Sequence, residues 1–150
     1  MNKIFFEDIT IGDTAEFGSY KVTKEEVIEF ASKYDPQPFH LDEDAAKQSV
    51  FGSLCASGWH SCAMTMRMLV DQMRSVGMAS MGSPGMDSIK WVRPVMVGDT
   101  LSVKTKVTAK RESKSRPNIG FLKATYEVSN QHGKTVMVMH ANYMVAKRAK

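Results

Sequence analysis

The sequence predicts an α+β fold in which one long central helix is wrapped by a curved five-stranded antiparallel sheet. Three observations predict it. Residues 58–76 place Trp59, Cys62, Ala63, Met66, Leu69, Val70 and Met73 at helical spacing, with few polar interruptions. Four downstream runs, 86–92, 100–111, 120–130 and 134–147, read as strands separated by turn compositions. A further strand, over 14–22, precedes the helices. At ~1.5 Å per residue the long helix spans under ~30 Å. An element so apolar should be buried on most sides, so it needs a wrapper.

Taken in order, the 14–22 strand runs into a Thr23 to Glu26 capping box that opens a helix carrying Val27, Phe30, Ala31 and Tyr34. Pro36 and Pro38 stop that helix and hold residues 35–40 as a rigid extended loop, because each proline disfavours helical geometry in its predecessor. Asp42 caps a short helix over 43–49, and Gly52 ends it. Ser57 is the expected cap of the long helix. The stretch 78–85, rich in Gly, Ser and Met, reads as a flexible loop. Val97-Gly98-Asp99 and Gln131-His132-Gly133 are tight-turn compositions, so the last three strands should form a meander. The sheet's outer face would stay uncovered in a monomer, which favours dimerisation.

With 150 residues, 43% hydrophobic and 24% charged, the chain fits one globular domain over its whole length. No segment approaches the roughly 18 apolar residues of a membrane span, and the start lacks a signal-peptide stretch, so a cytoplasmic address without membrane contact is expected. A net charge of +4 suits an anionic ligand but is too mild to argue for nucleic acid. Cys55 and Cys62 lack the paired spacing of a metal site and read as buried thiols. The methionines between Met64 and Met81 read as core filling, with an adaptable acyl pocket as the alternative.

The stretch Tyr34-Asp35-Pro36-Gln37-Pro38-Phe39-His40-Leu41-Asp42 carries the chemistry. It fixes a carboxylate and an imidazole on one short, proline-stiffened segment. Proton transfer through one water needs heavy-atom separations near ~3 Å, which a loose loop would rarely hold. Asp35 closing an Asx turn and His40 bridging a loop is the plainer reading of the same residues. His60 reads as a satisfied, partly buried histidine, and His132 and His140 as turn and strand residues.

Asp35, Pro38, His40 and Asp42 match the hydratase-2 pattern, and the chain resembles the MaoC-like dehydratases and (R)-specific enoyl-CoA hydratases. The resemblance extends to Ala56-Ser57-Gly58-Trp59-His60, Trp91-Val92-Arg93-Pro94-Val95, Gly98-Asp99-Thr100, Ser115-Arg116-Pro117 and Asn130-Gln131-His132-Gly133. It implies a hotdog fold and syn addition of water across the 2,3 double bond of an enoyl-CoA thioester. The implied catalytic residues are Asp35 and His40, sharing one water, and Gly58, whose backbone N–H faces the thioester oxygen. Pro38, Ser57, Trp59, Met66, Arg93 and Arg116 are the implied substrate-binding residues. The implied partner is a second copy of the chain, with no metal or redox cofactor and coenzyme A entering only as part of the substrate. Tyr34 and Gln37 stand where the family usually has Gly and Asn, and Met66 stands where some members have a serine; Ser61 or Thr65 could substitute. A hotdog thioesterase and a noncatalytic acyl-CoA or acyl-carrier-protein binding subunit remain the rival readings.

Overall fold

A computed structural model describes residues 2–149. Five strands, β1 (Thr14–Lys21), β2 (Gly85–Trp91), β3 (Thr100–Glu112), β4 (Ile119–Ser129) and β5 (Thr135–Ala146), form one antiparallel sheet in the order β1-β3-β4-β5-β2. Helices α1 (Lys24–Tyr34), α2 (Pro38–Leu41), α3 (Glu43–Lys47) and α4 (Gly58–Val76) lie between β1 and β2 in sequence. The long helix against a five-stranded antiparallel sheet is the hotdog layout, and β3-β4-β5 is the predicted meander.

Period-two burial decides which sheet face meets the helix. On β4, Leu122, Ala124, Tyr126 and Val128 point inward and are buried, while Lys123 and Glu127 are exposed. Met64, Met68 and Leu69 of α4 join them in one core. The outer face carries Ser102, Lys104, Lys106, Lys123 and Glu127 and is polar, which corrects the expectation that it is the surface needing a cover. The uncovered apolar surface lies elsewhere. On α4, Trp59 (61% exposed), Ala63, Met66 (44%) and Val70 (37%) form an exposed stripe at i, i+4, i+7 and i+11. It lies on the side the sheet does not wrap, so the helix is buried on one face rather than most of its circumference. Trp91 and Val92, at the end of edge strand β2, are exposed as well.

Several local expectations change in detail. The Thr23 hydroxyl accepts from the Glu26 N–H at 3.3 Å, but the Glu26 carboxylate does not reach back, because it accepts from Tyr20 and meets His60 instead. After Pro36 only Gln37 is extended: Pro38 takes the first position of α2, where its fixed φ suits a helix and its missing N–H costs nothing. Asp42 caps α3 through the Ala45 N–H, as the sequence suggests. Ser57 occupies the cap position of α4 yet makes no side-chain capping bond. Gly77 ends that helix in the left-handed region at φ 74°, letting the Met78 N–H donate to the Met73 carbonyl at 2.9 Å. Residues 79–82 are tied to β5, through Met81 N–H to the Met144 carbonyl and Met144 N–H to the Gly82 carbonyl, each 2.8 Å. The 78–85 stretch is thus an irregular continuation of the sheet edge and not a free loop.

The ring of Phe6 lies against the backbone of β4 at Gly120, where an added Cβ would sit 2.0 Å from Phe6 Cδ2. Gly120→Ala is expected to destabilise the fold by about 1–3 kcal/mol through overpacking, read as a lower urea midpoint with unchanged slope.

Candidate active site

Asp35 is the C-terminal cap residue of α1, its N–H donating to the Ala31 carbonyl at 2.9 Å. Two residues, Pro36 and Gln37, separate it from the start of α2, whose third residue is His40. The two side chains converge: His40 Nε2 stands 3.4 Å from Asp35 Oδ2. The imidazole side chain is 7% exposed, edge-on to Phe39 with ring centroids 4.6 Å apart.

His40 Nδ1 lies 2.8 Å from the Cys55 carbonyl oxygen. A carbonyl only accepts, so Nδ1 carries the proton and donates. In the neutral ring this leaves Nε2 as a bare lone pair facing a carboxylate. Two acceptors 3.4 Å apart are compatible only if a proton lies between them, on the ring or on a bridging water that donates to both. The backbone of Cys55 thereby selects the tautomer, a role no side-chain pattern announces.

Three groups surround the carboxylate. The Gln37 amide donates to Asp35 Oδ1 at 2.5 Å. The Ser57 hydroxyl is fully buried beside it, without completing a hydrogen bond of full length and angle. The third is His40. Burial by itself raises the Asp35 pKa, but Ser57, Gln37 and His40 together outweigh burial and hold it below the ordinary carboxylate value. Gln37, noted in the sequence only as a departure from the family's Asn, therefore has a partner: its amide, two residues on, reaches the carboxylate. Burial pushes the Cys55 thiol up to about 11, so it stays neutral beside the ring.

The pair opens on a cleft of about 460 Å3, whose walls include Phe51, Gly58, Trp59, Ser61, Trp91 and Arg93. Gly58 is the first residue of α4, where backbone N–H groups have no intrahelical partner, and its N–H donates to no described group. The helix dipole adds about half a positive charge there. The missing side chain has a packing reason. A Cβ on Gly58 would lie 2.7 Å from Trp91 Cε2, and the Trp91 indole N–H donates to the Gly58 carbonyl at 2.9 Å. The indole requires the glycine. Trp59 packs edge-on against Trp91 with centroids 5.5 Å apart. Arg93 lies at the rim, its Nη1 donating to the Thr135 carbonyl at 2.9 Å.

Thus Asp35, His40, Gly58, Trp59 and Arg93 are brought to one cleft, with Ser57 just behind its wall. Pro38 is absent from the walls and acts by starting α2. Met66 lies two turns along α4 on the exposed stripe, outside this cleft, whereas Ser61 lines it and Thr65 is buried with its hydroxyl on the Ser61 carbonyl. Arg116 is in the β3–β4 turn, at the far end of β3 from the cleft, where its N–H donates to the Ser113 hydroxyl. No helix among the described residues is long and apolar enough to cross a membrane.

The strand order and the long helix define a hotdog domain with a carboxylate and an imidazole meeting in one cleft, and comparison with known proteins shows its family. The profile of the MaoC like domain family matches residues 7–131, so the chain belongs to the MaoC-like family. A crystal structure of the MaoC-like dehydratase from Rhodospirillum rubrum superimposes with a TM-score of 0.88 at 38% identity, over 98% of this chain and 99% of that one. The Bacillus subtilis (strain 168) protein YdeM is 27% identical over 83% of this chain and 86% of its own length. An (R)-specific enoyl-CoA hydratase from Rhodospirillum rubrum is 29% identical over 69% of each chain.

Gly58→Ala is expected to cost about 1–3 kcal/mol in the otherwise unchanged chain and much less in a Trp91→Ala background, because the clash it creates is with that indole. Urea unfolding of the unchanged chain, the two single variants and the double variant, followed by far-ultraviolet circular dichroism, measures the coupling.

Proposed function

We propose that the protein is an (R)-specific 2-enoyl-CoA hydratase, working equally as the 3-hydroxyacyl-CoA dehydratase in reverse. One observation carries this reading: a buried His40 ring whose fixed tautomer turns its lone pair toward an ionised Asp35 at 3.4 Å, beside the unpartnered N–H of Gly58. A water donating one hydrogen to His40 Nε2 and the other to Asp35 has its oxygen lone pairs left for attack. The thioester carbonyl accepts from Gly58 N–H. The water oxygen bonds to C3, the π pair of the C2–C3 bond shifts toward C2 and the thioester oxygen, and one water proton passes to the Asp35–His40 pair. The pair returns one proton to C2, completing net addition of one water. A donor placed for the developing oxyanion is worth roughly 10²–10³ in rate in other enzymes. Arg93 at the rim, in a chain of net charge +4, is the group available to coenzyme A phosphates from this cleft.

The protein's own groups and one water supply every step of this scheme. A second copy of the chain is the proposed cover for the α4 stripe and the β2 edge, since Trp59 and Trp91 belong both to the uncovered surface and to the cleft. Met66 then serves the interface rather than the reacting centre. The rival thioesterase reading needs water directed at the carbonyl carbon; a water held by two groups beside the helix terminus that binds the oxygen suits C3 instead.

Asp35→Asn is expected to lower kcat by more than about 10³ with little change in KM, and the loss should appear as crotonyl-CoA absorbance that no longer falls. Unchanged turnover would remove Asp35 from the mechanism, release of free thiol would make the protein a thioesterase, and an all-(S) product would overturn the stereochemical assignment. The Asp35 contribution to kcat/KM should be lost only below about pH 3.9, the ordinary aspartate value, because its pKa is depressed. Its contribution to stability has the same sign, present above that pH and lost as pH falls through the lowered value. Met66→Glu with Val70→Glu should convert a dimer to monomer in light scattering; a stable wild-type monomer would end the interface proposal.

A further inference from the structure

Toward the C-terminal end of α4, away from the cleft, the helix does not fill the space above the sheet. Leu69, Met73 and Val76 of the helix and Phe17, Val107 and Ala124 of the sheet enclose a cavity of about 250 Å3. The strand register accounts for it. Tyr126 pairs with Met139 and Leu122 with Tyr143, so the two tyrosines stand two positions to either side of the Ala124–Ala141 pair. All of these residues are buried. Two methyl groups between two phenol-bearing positions leave a hollow beneath the helix. No residue lines both this cavity and the cleft. On α4, Ser61 lines the cleft and Leu69 the cavity, which at ~1.5 Å per residue places them roughly 12 Å apart along the axis.

The largely apolar wall carries two donors. Tyr126 and Tyr143 line the cavity and are 6% and 9% exposed, and neither hydroxyl has a hydrogen-bond partner among the described residues. A buried phenol ordinarily finds a partner, so two unpaired ones facing the same space point to an acceptor that enters it. Burial keeps both rings protonated, pushing Tyr143 up to about 12, and each remains an O–H donor at neutral pH. Two exposed carboxylates, Asp8 and Asp13, stand at the rim. Arg148 holds Asp8 at 2.6 and 2.8 Å, whereas Asp13 accepts the Thr10 N–H at 2.8 Å and forms no ion pair among the described residues. That uncompensated charge disfavours an anionic head group at the entrance.

These features select a ligand class. A carbonyl oxygen accepts through two lone pairs and donates nothing, which suits a wall of donors, while an alcohol would need an acceptor of its own. A cavity of ~150 Å3 takes a benzene-sized molecule, so this one has room for roughly ten non-hydrogen atoms. We propose that the cavity is a second binding site, for an uncharged carbonyl compound such as a medium-length ketone or ester, with its apolar chain between α4 and the sheet and its oxygen on the buried phenols.

The site is independent of the hydratase reading, and its test involves no turnover. The full-length chain is titrated with 2-nonanone and followed by methyl-resolved NMR. The methyl resonances of Leu69, Met73 and Val76 are expected to shift and saturate at one ketone per chain, while those of Val92 and Val95, which line the cleft, stay in place. The double variant Tyr126→Phe with Tyr143→Phe keeps both rings and removes both hydroxyls. It should bind the ketone about tenfold more weakly, the scale of one or two neutral hydrogen bonds. Its urea midpoint should be no lower than that of the unchanged chain, because no bonded partner is lost. Octanoate, an anion of similar size, should bind at least about tenfold more weakly than the ketone. Cavity methyls that stay still up to the solubility limit of 2-nonanone, or shifts confined to Val92 and Val95, would overturn the site. Undiminished affinity in the double variant, or a clearly lower urea midpoint, would remove the phenols as waiting donors, and octanoate binding as tightly as the ketone would refute the uncharged class.

Discussion

The hydrogen bond from His40 to the carbonyl of Cys55 constrains what the cleft can do, because it removes one of the two tautomers of the imidazole before any substrate arrives. A histidine free to choose would point a lone pair at the carbonyl as readily as at Asp35, and a water could not be held with its oxygen turned outward. The constraint comes from packing. Cys55 is buried just ahead of α4 and forms a bridge with Met96, while the next residue, Ala56, donates to the Val95 carbonyl at 2.8 Å. The sheet's connections therefore set the position of the carbonyl, the carbonyl sets the ring, and the ring sets which nitrogen faces Asp35.

The first turn of α4 has two duties, and they explain its composition. Gly58 lines the cleft with the first backbone N–H of the helix, while the same residue's α-carbon is pressed against an indole that also donates to its carbonyl. Two residues on, His60 anchors the helix to α1 through Glu26. Because α1 is capped at Asp35, the helix that starts at Gly58 and the helix that leads to the carboxylate are tied to each other through this pair. Electrostatic stabilisation of a developing charge depends on such prior fixing, since donors that must reorganise lose much of their advantage.

Much of this was legible in the sequence, and the rest fails for identifiable reasons. Helix α4, the three-strand meander and the Asp35–His40 pairing follow from periodicity, turn residues and the proline-spaced motif. The flat reading of residues 35–40 as extended missed that Pro38 suits the first position of a helix as well as it stops one. The mixed-apolar surface of α4 hid which side the sheet covers, because Met66 and Met64 look equally apolar in sequence while one is 44% exposed and the other 1%. The Cys55 carbonyl carries no signature at all, being a backbone atom. Arg116, drawn in by resemblance, sits at the opposite end of β3, a distance that one-dimensional order does not reveal.

The placement of Trp59 and Trp91 has a practical corollary. The chain has two tryptophans, and both stand at the mouth of the cleft, partly wet and in edge contact with each other. Intrinsic indole emission is therefore a local reporter: it watches the entrance rather than the methionine- and valine-rich interior. A ligand that dries this doorway changes the signal without any rearrangement of the core, while loosening of the distant β3–β4 turn leaves it silent.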